Sequence, residues 1–303
     1  MGKDFDVSVI IINYNSSGYT VECVKSVLEK TSSTISAEII IVDNNSRPED
    51  YSALELRLAK QDNIRLVRSR INIGFGAGNM LGAQFAQGQY LLFLNNDTLL
   101  MNDCLSIHID FHKNHPEAGV TSAQNFNEQG KAVPSFDHNK GIRKLIFGRS
   151  FLEKYYPATH PKRKSIPTDT IRTDFINGAF MFFKSRHFGL VGGFDTNIFL
   201  YFEEMDISHR LLRNGLKTYL LPQSQIVHFQ GASSVKSVAM NREGLISYLY
   251  VIKKNYPYLK FLFIKYYLLF TFFLKPKKWD TIGTVLRSVN LDESLKQKQV
   301  FTN

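Results

Sequence analysis

The sequence predicts a doubly wound, mainly parallel α/β sheet flanked by helices, followed by an apolar, basic helical extension. Three observations carry that prediction. Through the first hundred residues, β-branched apolar runs alternate with segments of helical spacing. The runs are nearly continuous rather than alternating, which marks strands buried on both faces. Polar residues collect where each run ends, as at the carboxyl ends of strands in such sheets, where ligands bind.

Taken in order, "VSVIIINY" (7–14) is the first buried strand, and "SSGYTVECVKSVLEKT" follows as a helix with Val21, Val24, Val27 and Leu28 on one side. "AEIIIVDNNS" is a second strand and "EDYSALELRLAKQ" a second helix. "NIRLVRS" is a third strand, "NIGFGAGNMLGAQFAQG" a glycine-rich turn entering a third helix, and "QYLLFLNNDT" a fourth strand. This is the βαβ alternation of a parallel sheet. Between about 125 and 172, Pro, His, Lys and Arg dominate and the segment reads as a long excursion. Regular structure resumes at "TDFINGAFMFFKS", continues through "GGFDTNIFLYFEEMDISHRLLRNG", and includes two strand-like pieces, "KTYLLP" and "QIVHF".

A chain of 303 residues with 44% hydrophobic content can bury a full core. Two cysteines, Cys23 and Cys104, both in helix-like contexts, suggest core thiols in a reduced, cytoplasmic setting rather than a disulfide framework. The N-terminus enters a strand with no basic-then-apolar leader pattern. The net charge of +10 is uneven: residues 1–100 hold 9 Lys and Arg against 11 Asp and Glu, whereas residues 253–303 hold 10 against 3. A second basic cluster lies between Lys140 and Lys164. Such blocks meet anionic partners or are simply solvated. The acidic first third and the lack of a nucleic-acid module argue against a nucleic-acid partner.

The stretch 258–279 is strongly apolar, yet Lys260 and Lys265 leave an uncharged run of only nine residues, Tyr266 to Leu274, too short for a transmembrane helix. Two readings stay open. One is an amphipathic helix in an anionic membrane interface across 255–280. The other is a helix packed on the core or on a second subunit.

Four features could carry chemistry. Asp43 ends the second strand, where it could accept a hydrogen bond from a ligand N–H or simply form an Asx-turn. Glycines 74, 76 and 78 permit close backbone approach by a phosphate or sugar, but they follow the third strand, not the first, which disfavours a dinucleotide fingerprint. Glu203, Glu204 and Asp206 crowd the start of a helix. The helix dipole explains one or two acids, and packing of three raises at least one pKa. His228 sits in a short apolar strand and becomes a metal ligand only with a carboxylate nearby.

Together, "VSVIIINYN", "EIIIVDNNS", "NIGFGAGNMLGA", "GQYLLFLNNDT", "FINGAFMFF", "GGFDTNIFLYFEEMDISHRLLRNG" and "IVHFQGASS", in that order across residues 6–235, resemble the inverting family 2 glycosyltransferases. The resemblance is to the Rossmann-like GT-A fold and its bacterial rhamnosyltransferase-like branch. It implies a glycosyltransferase domain over 1–240, with a nucleotide-binding half (1–100) and a catalytic, acceptor half (101–240), and a helical extension over 241–303. Asn13, Asp43, Asn45, Gly74 and Asn79 would surround the nucleotide, with Asp43 reading a pyrimidine base. "NND" (Asn95, Asn96, Asp97) stands where the family has its DXD motif, so Asp97 and His228 would hold a divalent cation, Mn²⁺ or Mg²⁺. Glu204 would be the catalytic base, with Glu203 and Asp206 holding the acceptor or shaping the pocket, and Asn177 and Gly178 would lie on the acceptor side.

Two positions depart from the family pattern. Asn95 replaces the first Asp of the motif, and Glu204 replaces Asp, lengthening the base by up to about 1.5 Å. The implied activity moves a sugar from a nucleotide-diphosphate donor, dTDP-rhamnose or a UDP-hexose, to a saccharide or lipid-linked saccharide. The setting would be cell-surface polysaccharide synthesis at the inner face of the cytoplasmic membrane. A nucleotidyltransferase would use the Asp97 region without the 203–206 acids, and a non-catalytic nucleotide-sugar binder would tolerate the missing Asp.

Overall fold

The computed structural model describes residues 5–58, 62–138, 141–229, 237–287, 291–299 and 301. The expected parallel unit is present: β1 (Val7–Asn13), β2 (Ala37–Asp43), β3 (Ile64–Arg68) and β4 (Tyr90–Asn95), joined by α1 (Ser17–Lys30), α2 (Pro48–Arg57) and α3 (Phe75–Ala83). Each falls inside, or within one residue of, its expected segment. Then come β5 (Thr98–Leu100), α4 (Cys104–Asn114) and β6 (Ala118–Phe126). The 125–172 excursion contains β7 (Phe136–Asp137), α5 (Ile142–Phe147), α6 (Arg149–Tyr155) and β8 (Ile171–Thr173). After it come β9 (Phe175–Ile176), β10 (Phe180–Lys184), α7 (Ser185–Leu190), α8 (Glu203–Arg213) and β11 (Lys217–His228). α9 (Val238–Asn255), α10 (Tyr258–Phe273) and α11 (Trp279–Leu286) complete the helices, and short 3₁₀ turns follow to Lys298.

The main sheet runs β3-β2-β1-β4-β10-β6-β11-β5, with β8 on β11. It is mixed: β10 is antiparallel to both β4 and β6, while β6 and β11 are parallel. The two strand-like pieces "KTYLLP" and "QIVHF" form one strand, β11. Pro222 cannot donate to a ladder, and the register with β6 shifts between Leu221 and Gln225, which lets the strand pass it.

Alternation along β1 sends Val7, Val9 and Ile11 toward α1 and α4, and Ile10 toward the opposite face with Ile207 and Leu211 of α8. That two-sided burial is why the strands read as continuous apolar runs. A third core joins Ile198 and Met205 to Leu249 and Ile252 of α9, Phe261, Ile264 and Leu268 of α10, and Val285 of α11. The C-terminal helices therefore pack on α8 through α9, with one face of α10 turned inward against α9 and α11. No described helix is long and apolar enough to cross a membrane. Cys23 and Cys104 are both free and buried.

α4 sets two histidines against the sheet. His108 is fully buried between Phe180 and Phe182 and hydrogen-bonds Thr121 Oγ1 at 2.6 Å and Ser224 Oγ at 3.0 Å. Burial pushes its pKa well down, and burial together with nearby Lys184 pushes that of His112 down to about 3. Between that value and the ordinary histidine range the unfolded chain binds more protons than the folded one. These histidines therefore contribute stability that is intact above about pH 6.5 and lost as pH falls, at up to about 1.4 kcal/mol per pH unit each. The melting temperature should drop steeply from pH 7 to pH 5; a flat profile would rule this out.

Candidate active site

The sheet register gathers the polar strand ends. Asn13 lies opposite Asp43, and Ile12 opposite Asn95, so three loops leave one edge side by side. Asn13 and Asp43 are both fully buried. The Asn13 amide donates to Asp43 Oδ1 at 2.9 Å, Ser46 Oγ at 3.0 Å and Asp50 Oδ2 at 2.9 Å. Asp43 also accepts from the Ser46 N–H at 3.1 Å, with Arg68 Nε 3.6 Å away. Burial opposes ionisation of Asp50, but hydrogen bonds from Asn13 and the Ser17 N–H outweigh it and hold its pKa below the usual range. This buried network stitches the β1–α1 loop to the β2–α2 loop, and the residues just beyond it, Asn15, Asn44 and Arg47, line a cavity of about 680 Å³. Asn15 itself takes a left-handed backbone, φ 54°, and accepts the Arg47 N–H at 2.9 Å. Asn45 turns the chain at φ 67° and is half-buried.

Asn44 reaches sideways to the glycine turn, donating to Asn72 Oδ1 at 2.9 Å and the Gly74 carbonyl at 3.1 Å and accepting the Ile73 N–H at 3.0 Å. Gly74 has φ 84°, and a Cβ there would lie 2.3 Å from the Phe199 carbonyl oxygen. The next N–H, of Phe75, donates to that same carbonyl at 2.8 Å. Only glycine lets this turn dock against the 199–202 loop. Asn79 is buried inside α3 and donates to the Phe75 carbonyl at 3.1 Å, so it stands behind the turn.

β4 ends at Asn95, which lines the cavity, and Asn96 and Asp97 follow before β5. The Asn96 amide donates to Ser16 Oγ at 2.6 Å and Thr20 Oγ1 at 2.9 Å, bracing the start of α1. β5 pairs antiparallel with the end of β11, His228 opposite Thr98. That pairing brings His228 Nε2 to 3.3 Å from Asp97 Oδ1, and both residues line the cavity. Both are almost fully buried, and His228 Nδ1 has no hydrogen-bond partner among the described residues. A carboxylate and an imidazole facing each other suit a borderline-hard divalent cation whose remaining positions go to phosphate oxygens and water. Among the described residues no group of three His, Cys, Asp or Glu side chains is placed to hold a metal ion.

The opposite wall is the 199–201 loop, and the C-terminal Leu295 and Gln299 also line the cavity. α8 begins beyond that loop. Tyr201 and Phe202 both have φ 72°, a left-handed strain unusual for aromatic residues. Glu203 is buried, with one carboxylate oxygen unpartnered. Burial, then neighbouring Glu204, raise its pKa well above the usual range, so Glu203 keeps its proton to higher pH. Glu204 is half-buried in the same turn. Asn177 and Gly178 lie between β9 and β10, where Asn177 Oδ1 accepts the Ala179 N–H at 2.9 Å and a Cβ on Gly178 would meet open space. None of Glu203, Glu204, Asp206, Asn177 and Gly178 lines the 680 Å³ cavity itself.

Asp206 is fully buried in an ionic clasp. Arg210 Nε donates to it at 2.8 Å, Asn255 Nδ2 at 2.7 Å, and Lys254 Nζ lies 3.0 Å away. The clasp ties α8 to α9. Asp206→Ala would leave Arg210 half-buried without its acid and should cost about 3–5 kcal/mol in urea unfolding. A loss below about 1 kcal/mol would show that the clasp is dispensable.

Arg47, Met240, Leu295 and Gln299 line the cavity without having been singled out in the sequence. Arg47 lies just past a polar strand end, whereas Met240, Leu295 and Gln299 come from the C-terminal segment, where no motif marks them.

A mixed, mostly parallel sheet flanked by helices, with a cavity lined from the carboxyl ends of its strands, is the architecture of the GT-A glycosyltransferase fold. The crystal structure of GalNAc-T7 with UDP, GalNAc and Mn²⁺ shares it at a TM-score of 0.64 and 18% identity, covering 95% of this chain and 57% of that one. The chain belongs to glycosyl transferase family 2, whose model matches residues 8–185. Rhamnosyltransferases are among its relatives, in agreement with the resemblance in the motifs. Rhamnosyltransferase WbbL of Escherichia coli K12 is 27% identical over 166 residues, 52% of this chain and 61% of that protein. The N-acetylglucosaminyl-diphospho-decaprenol L-rhamnosyltransferase of Mycobacterium tuberculosis CDC 1551 is 22% identical over 218 residues, 66% of this chain and 69% of that one. The chain thus spans less than two thirds of the length of WbbL.

Proposed function

We propose that this glycosyltransferase moves a sugar, rhamnose from dTDP-rhamnose or a hexose from a UDP-hexose, to a hydroxyl of a saccharide acceptor carried on a lipid. We place that reaction in cell-surface polysaccharide synthesis. The observation that carries the reading is the buried Asp97–His228 pair in a cavity lined also by the stitched asparagine loops and the 199–201 loop. The mycobacterial relative, named for a diphospho-decaprenol acceptor, supports the lipid-linked acceptor.

The loops of Asn15, Asn44 and Arg47 hold the nucleotide over the network anchored by Asn13 and Asp43, with Gly74 docking its turn against the 199–202 wall. Asp97 and His228 would hold a divalent cation, which neutralises charge developing on the leaving diphosphate. Glu204 takes the proton of the acceptor hydroxyl as its oxygen bonds to the anomeric carbon from the face opposite the diphosphate. The bond from that carbon to the diphosphate oxygen breaks with both electrons staying on the diphosphate. One displacement inverts the configuration.

The test is a thermal-shift screen of nucleotide sugars with and without Mn²⁺, followed by chromatographic detection of released nucleoside diphosphate. A cognate donor should raise the melting temperature by mass action and release its nucleotide only with the cation. Release that ignores the cation, or stabilisation with no turnover toward any acceptor or water, would overturn the reading.

A further inference from the structure

A second cavity, of about 600 Å³, lies between α5–α6 and the C-terminal helices. Leu245 and Tyr248 of α9 and Phe272 of α10 give it an apolar floor, while Lys144, Arg149 and Lys278 line it as cations, with no acid among its lining residues. Lys144 is already paired with Asp137 at 2.6 Å. Arg149 and Lys278 are exposed and carry no ion pair among the described residues.

This cavity shares a partition with the first. Tyr201 lines one and Phe202 the other, and so do the successive α9 residues Met240 and Asn241. Glycine at 244 brings α9 close against the partition, since a Cβ there would sit 3.3 Å from the Tyr201 ring. Glu204 follows the partition by two residues.

The surroundings are apolar and uncovered. While Phe261, Ile264 and Leu268 pack inward, Leu259, Phe263, Tyr266, Phe270 and Phe273 form a second stripe on α10, each 44–79% exposed. Ile146, Phe147 and Phe151 of α5–α6 are exposed as well, and the Tyr267 hydroxyl donates to the Leu145 carbonyl at 2.9 Å, joining the two surfaces. An apolar trough beside unpaired cations, opening among exposed apolar faces, matches an amphiphile with an anionic head and a hydrocarbon tail. A free phosphate needs no trough, and a flat bilayer fills no cavity.

We propose that this cavity binds the isoprenoid-diphosphate end of the lipid-linked acceptor. Arg149 and Lys278 hold the diphosphate, and Leu245, Tyr248 and Phe272 hold the first isoprene units. The sugar passes across the Tyr201–Phe202 partition to Glu204. The sugar end rests on the glycosyl-transfer reading; the lipid-diphosphate site does not.

Trp279 is the single tryptophan of the chain and sits between the lining residues Lys278 and Thr281, so it reports on the site. Titration with farnesyl diphosphate should change its emission saturably. The Arg149→Glu/Lys278→Glu variant, checked for an unchanged melting temperature, should bind at least about tenfold more weakly, the effect of losing one charge-assisted contact. Inorganic diphosphate giving the same response would reduce the site to an anion site and overturn the proposal. No response, or equal affinity in the variant, would overturn it too. Saturable farnesyl diphosphate binding in a wild-type protein that releases no nucleotide from any donor supports the site and sinks the transferase reading instead.

Discussion

Asp97→Asn should fold like the wild type and turn over about 10³-fold more slowly with Mn²⁺, the scale of losing one preorganised charge partner at a developing anion. The substitution is isosteric, so the buried contact with His228 keeps its shape, and the β5–β11 pairing that positions both residues is backbone-made. What disappears is negative charge. Asn95 already stands where the family motif has its first acid, and among the described residues Asp97 is the sole carboxylate lining the cavity. The stabilisation by Mn²⁺ in thermal melts should vanish along with activity. Turnover within about tenfold of wild type would mean that the cation, if used, is held elsewhere.

Glu204→Gln is the second large effect: kcat should fall by about 10²- to 10⁴-fold with donor affinity unchanged, as expected for loss of a general base. Glu203→Gln is the informative partner. Burial and the adjacent Glu204 keep the Glu203 carboxyl protonated to higher pH, so an amide resembles the form already present, and activity should stay within a few-fold. Glu204→Asp should recover part of the loss, since the carboxylate retreats by about 1.5 Å but remains a base. If Glu203→Gln is the inactive variant and Glu204→Gln retains turnover, the two acids exchange roles.

The parallel half of the fold was legible because burial on both faces writes itself as continuous apolar runs, and the turns between them carry glycine and asparagine. β11 was read as two pieces because Pro222 interrupts a strand locally, and only a neighbouring strand that shifts register can absorb it. β5 has three residues, too few for any periodicity. Residue types at strand ends marked Asp97, and the family resemblance paired it with His228, 131 positions away; the fold brings the two side chains to 3.3 Å. What those residues do individually was less legible. Asn13, Asp43 and Asp206 turn out to be buried struts of networks, and the cavity is lined by the neighbours of the first two. The basic, aromatic excursion carried no periodicity to place it. Its link to α10 runs through a single tyrosine hydroxyl and side-chain packing that sequence spacing does not encode.

By itself the sequence determined the sheet, its two buried faces and the family, because those depend on local periodicity and on motifs at element ends. Only the tertiary structure decided the rest: which polar side chains face open space, that α10 is apolar on two sides, and that a second, cationic cavity shares a wall with the first. Each of these depends on how elements distant in sequence pack in space, and burial is a property of the packed neighbours rather than of any one segment.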